Sequence, residues 1–88
     1  MSKFALLVQP KKVEKDEQLV AVRLEAALVG FASGGAFSIV HSRADLEPDQ
    51  YRDKATRLGV IEDMKRHMAL AVQATIKDAE VKETVLAV

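Results

Sequence analysis

The chain has no cysteine and no tryptophan, two prolines and four glycines, and aromatic residues make up only 5% of it. Without cysteine there is no disulfide framework, no thiol nucleophile and no thiolate zinc site, and the composition suits a reducing compartment such as the cytoplasm. An excess of charge is also missing, because 13 lysines and arginines balance 13 aspartates and glutamates. No net field therefore draws the chain to nucleic acid or to an anionic membrane. Long apolar runs are absent too. The stretch from Ala26 to Val40 is uncharged but holds fifteen residues, broken by Ser33-Gly34-Gly35, where a membrane-spanning helix needs about 20. Near the start, Phe4-Ala5-Leu6-Leu7-Val8 stops at Gln9-Pro10, too short for the apolar region of a secretory signal.

What is present is aliphatic. Hydrophobic residues make up 49% of the chain, which excludes intrinsic disorder. At 88 residues and 9.7 kDa the chain is one domain, with an expected folded surface of about 5,100 Å². So small an interior cannot hide every aliphatic side chain, and an exposed apolar patch marks an interface. A homo-oligomer is the simplest expectation, with a protein partner as the next.

Phe4, Leu6 and Val8 alternate with Ala5 and Leu7, which predicts a strand over 3–8 ended by Pro10. The segment 14–32 reads two ways. Its Glu, Lys, Gln, Leu, Arg and Ala favour a helix with acidic residues in its first turn and a Ser33-Gly34-Gly35 stop. Yet Val20, Val22, Leu24, Ala26 and Leu28 alternate with Ala21, Arg23, Glu25 and Ala27 at a period of two, as a strand would. We take the helix as the expectation and keep the strand as its alternative. Phe37, Ile39 and Val40 predict a strand over 36–42. Pro48, after Asp45 and Glu47, opens a long helix over 48–79. On its wheel Ile61, Met64, Met68, Val72 and Ile76 share one arc, Arg57 intrudes into that arc, and a change of phase near Gly59 predicts a kink. The tail 81–87 could add a short strand. The expected fold class is α+β, a small sheet packed against these helices.

Chemistry-bearing motifs are sparse. Asp63 and His67 stand one helical turn apart, which suits an exposed polar pair and supplies too few ligands for a metal site. Ser33-Gly34-Gly35 lacks the rest of a phosphate loop. Arg43, Arg52, Lys54, Arg57, Lys65 and Arg66 are matched over the same stretch by Asp45, Glu47, Asp49, Asp53, Glu62 and Asp63, so nucleic acid is disfavoured as a partner. No nucleophile, base and orienting group come together, so no enzyme, metal or cofactor is expected. Two functional expectations follow. The first is a non-enzymatic regulator or adaptor working through protein contacts, with Met64, Met68, Leu70, Val72 and Ile76 as its interface. An accessory protein of a virus or mobile element that inhibits a host factor would have this composition. The second is a module that binds or sequesters an anionic small molecule such as a nucleotide, through Gly34, Gly35, Arg43, Arg52 and Arg57.

Overall fold

A computed structural model describes residues 4–32, 35–72 and 79–88. Three long strands come first: β1 (Phe4–Lys15), β2 (Gln18–Ala32) and β3 (Gly35–Leu46). A short helix α1 (Pro48–Arg52), a longer helix α2 (Lys54–Val72) and a short strand β4 (Glu80–Glu83) follow. The four described strands form one sheet in the order β3-β2-β1-β4, with antiparallel pairing throughout except that β4 runs parallel to β1. The α+β class expected from the sequence is the class observed.

The helix expected over 14–32 is not there, and the period of two prevails over helix propensity. On β2 the side chains of Val22, Leu24, Ala26 and Leu28 are all buried, while Arg23, Glu25, Ala27, Val29 and Phe31 alternate on the opposite face. A strand needs cover on one face only, whereas a helix of this sequence would be apolar nearly all round. The strand expected over 3–8 likewise runs on to Lys15, because Pro10 lies opposite Leu24 on a stretch of β1 that has no described strand on its outer side. Between β1 and β2 the two-residue turn Asp16-Glu17 has φ of 52° and 63°, the geometry of a type I′ hairpin.

The strand expected over 36–42 is β3, extended to Leu46. It carries one extra residue, Ile39, where the register against β2 shifts between Leu28 and Val29. The predicted helix 48–79 is divided at Asp53, and α2 passes through Gly59 without interruption. Asp53 explains the break. Its backbone is extended as it closes α1, and its carboxylate accepts hydrogen bonds from the Thr56 amide and hydroxyl at the start of α2. Residues 73–78 of that expected helix lie outside the described residues. Of the tail expected as a strand over 81–87, Glu80–Glu83 pair with Ala5–Val8.

One face of the sheet holds the core. Leu6, Val8, Val22, Leu24, Leu28 and Leu46 pack under Tyr51 of α1 and Ile61, Met64 and Met68 of α2. Each such buried side chain contributes about 1.5–3 kcal/mol. Arg57 occupies the same helical face, 7% exposed, and is held by two partners. It donates to the Glu83 carboxylate on β4 and, at 3.0 Å, to the Tyr51 carbonyl, and its guanidinium lies 5.4 Å from the centre of the Tyr51 ring. The Tyr51 hydroxyl in turn accepts the Leu86 amide at 2.8 Å. Arg52 donates to the Val88 carbonyl oxygen at 2.9 Å. These contacts fasten β4 and the residues after it over the end of the core.

Candidate functional site

Among the described residues, no helix lies over the other face of the sheet. It carries Ala5, Leu7, Gln9 and Lys11 from β1, then Arg23, Glu25, Ala27, Val29 and Phe31 from β2. His41, Arg43 and Asp45 from β3 and Glu80 and Lys82 from β4 complete it, all set by the pairing registers and strand alternation. Its apolar half gathers Leu7, Ala27 and Val29 toward Phe31, which is 52% exposed. Its polar half is a charge lattice. Arg43 lies opposite Glu25 and Asp45 opposite Arg23. The Arg23 guanidinium donates to both Asp45 oxygens, at 2.8 and 3.3 Å. That hydrogen bond, with the charges of Arg23 and Arg43, holds the Asp45 carboxyl below the usual carboxylate range, and it raises Arg23 in return. A shallow depression of about 710 Å³ crosses the middle of this face, lined by Leu7, Gln9, Glu25, Ala27, His41, Ser42 and Arg43.

The expected interface residues divide. Met64 and Met68 are buried against the sheet of their own chain, at 4% and 2% exposure, Val72 is partly buried beside them, and Leu70 stands out at 74%. Ile76 lies outside the described residues. The methionine stripe thus faces inward, because β1 and β2 supply the broad apolar surface that a helix at 14–32 would have had to replace.

The expected anion-binding residues are not brought together. Arg57 is held by Glu83 and Tyr51 on the core face, and Arg52 is held by Asp49 and Val88 at the end of α1. Arg43 is on the open face, across the sheet from Arg57. Gly35 begins β3, eight residues from Arg43, which is roughly 25 Å of strand. Gly34 lies outside the described residues. The Asp63 carboxylate pairs with Arg66 rather than with His67, whose ring nitrogen Nδ1 meets the Asp63 backbone carbonyl oxygen. Among the described residues, no three His, Asp or Glu side chains gather as a metal site would require, and no helix is long and apolar enough to cross a membrane.

The sequence reading missed the open face itself, because taking 14–32 as a helix removed the central strand on which the face is built. The signal was available in Arg23 and Glu25, two charges two residues apart among alternating aliphatics. Compared with family models, curated proteins and solved structures, the chain matches none.

Proposed function

We propose that the protein is a small, non-enzymatic binding module, a regulator or adaptor of the cytoplasm that acts through protein contacts and works as a homo-oligomer. The observation that carries this reading is the half-covered sheet. Helices and tail cover one face, and the other keeps Leu7, Ala27, Val29 and Phe31 at the surface beside an ordered charge lattice. The surface area agrees: 6011 Å² is accessible, against about 5,100 Å² expected for a folded monomer of this mass. The radius of gyration is 13.9 Å, against about 12 Å for a compact chain of this length. Surplus surface of this kind is what association removes. Light scattering after size-exclusion chromatography, at two protein concentrations, tests it. A mass that is a multiple of 9.7 kDa is expected, and a single-chain mass at both concentrations would sink the homo-oligomer.

A second reading has one observation in its favour, the depression in which Gln9, His41 and Arg43 stand beside Glu25. Its polar lining and the Arg43 guanidinium suit a small anion such as a nucleotide. A ligand at 100 times its dissociation constant stabilises a fold by about 2.7 kcal/mol, which raises the melting temperature of so small a domain by roughly 10 °C or more. A thermal-shift panel of nucleotides in which no compound moves the melting temperature removes this reading.

A further inference from the structure

Among the described residues the sheet ends in two edges, and they are built differently. Beyond Val8 the outer edge of β1 has no described strand beside it, and it is guarded by Pro10, which has no N–H to offer, and by Lys11, Lys12 and Lys15. Proline and lysine are the usual protection of a strand edge against pairing. β3, at the other end of the strand order, pairs among the described residues with β2 alone. From Val40 to Leu46 it contains neither proline nor lysine, and beyond Leu46 the chain turns into α1, which packs with α2 against the core face of the sheet, α2 against β3 and α1 against β2 and β3. The extra residue at Ile39 confines regular pairing to this half of the strand.

We propose that two copies of the chain join β3 to β3, antiparallel, about a twofold axis through Ala44. Paired residues of an antiparallel ladder share a face, so a symmetric register must centre on a residue. Centred on Arg43, the pairing sets arginine against arginine. Centred on Asp45, it sets aspartate against aspartate. Centred on Ser42, it sets Arg43 against His41 and Asp45 against the irregular position at Ile39. Centred on Ala44, it sets Arg43 of each copy against Asp45 of the other, with Ser42 against Leu46 on the core side and alanine against alanine on the axis. The charge lattice within each chain then continues across the junction. One row reads Glu25, Arg43, then Asp45 and Arg23 of the second copy, alternating in sign at every step, and the symmetric row repeats it. The Asp45 carboxylate has lone pairs for both Arg23 and the incoming guanidinium. Main-chain hydrogen bonds hold such a pair of edges together, and the side-chain charges select the register.

This inference rests on the self-association proposed above, and mixing two variants tests it separately. In a symmetric dimer of Arg43→Glu, each introduced carboxylate faces Asp45 of the other copy, and in one of Asp45→Lys each introduced ammonium faces Arg43. Each variant alone is expected to weaken the dimer by about tenfold or more. In an equimolar mixture, the glutamate introduced in one chain meets the lysine introduced in the other, and the native Arg43–Asp45 pair forms once, so the two-chain mass returns. A wild-type dimer that either variant leaves at full affinity, or variants that stay single-chained when mixed, would overturn the register while leaving self-association standing. A wild-type chain that never associates would overturn both. Hydrogen exchange of the wild type at low and high concentration gives the same answer without substitution. Protection should grow within Val40–Leu46 and not along Gln9–Lys15, and the reverse would place the contact on the other edge.

Discussion

At the scale of single residues, the contact with the largest consequence is Arg57 with Glu83. The two side chains are 9% and 15% exposed, and they link α2 to β4 across 26 residues of sequence. Removing one partner of a buried pair leaves the other charge without compensation, at about 3–5 kcal/mol. Glu83→Ala is therefore expected to lower stability by about 3 kcal/mol in chemical denaturation. Glu83→Gln, which keeps an acceptor for the Arg57 Nε, should lose clearly less. Equal losses would show that the charge of Glu83 is not what secures β4. Gly59 poses the opposite case. It lies exposed within α2, and a methyl group added there meets nothing within 4 Å. Gly59→Ala should stabilise the protein by about 1 kcal/mol, and a loss on that substitution would mean that Gly59 needs a freedom the helix does not show. Arg57 also shows what a sequence can disclose. Its intrusion into the apolar arc of the wheel marked it as a cation on the core side, but Glu83 could be named as its partner only once β4 was placed beside β1.

At the scale of elements, the β1–β2 hairpin was the least legible part of the chain, and the reason lies in two residues. A type I′ turn demands positive φ at both central positions, which Asn-Gly supplies at little cost and Asp-Glu does not. Asp16-Glu17 therefore gave no turn signal, and the neighbouring Glu, Lys and Leu read as helix. The hairpin forms because Val22, Leu24, Ala26 and Leu28 bury one face against Tyr51 and α2, which outweighs a turn conformation unfavourable by about 1 kcal/mol or more. Glu17→Gly should recover about 1 kcal/mol of stability and raise the melting temperature, and an unchanged melting temperature would mean that the turn is not strained. The strand at β3 and the helical stretch after Pro48 were legible because Phe37, Ile39 and Val40 and the spaced Ile61, Met64 and Met68 agree with their local periods. The division at Asp53 was not, since a residue closing one helix and opening the next looks like any acid in a helical run. Hydrogen bonds from Thr56 hold the Asp53 carboxyl below its ordinary value. A lowered folded value means that the stabilisation is complete above the unfolded value of about 3.9 and is lost as pH falls through the folded one. Asp53→Ala should lower the melting temperature at neutral pH, and the difference from wild type should shrink below about pH 4. A difference that persists unchanged into acid would assign the effect to something other than the ionised cap.

At the scale of the whole molecule, cover is distributed unevenly along the sheet. The long dimension of 46 Å is close to the length of β2, whose 15 residues span roughly 50 Å of strand. Near Leu6–Val8 all four described strands lie side by side under the core cluster, whereas beyond Val22, opposite Leu46, β1 and β2 continue with no other described strand as a two-stranded arm. An isolated two-stranded ribbon is marginally stable in water, so the arm should open by itself while the four-stranded part opens only with the whole fold. Hydrogen exchange of the monomer should place the fastest strand amides at Lys12–Ala21 and the slowest at Leu6–Val8 and Ala26–Leu28, and limited trypsin should cut first at Lys12 or Lys15. Protection of the arm equal to that of Leu28 would contradict this distribution of cover. It would mean that the arm is held by another surface in solution, and the second copy would then have to reach past β3 to touch it.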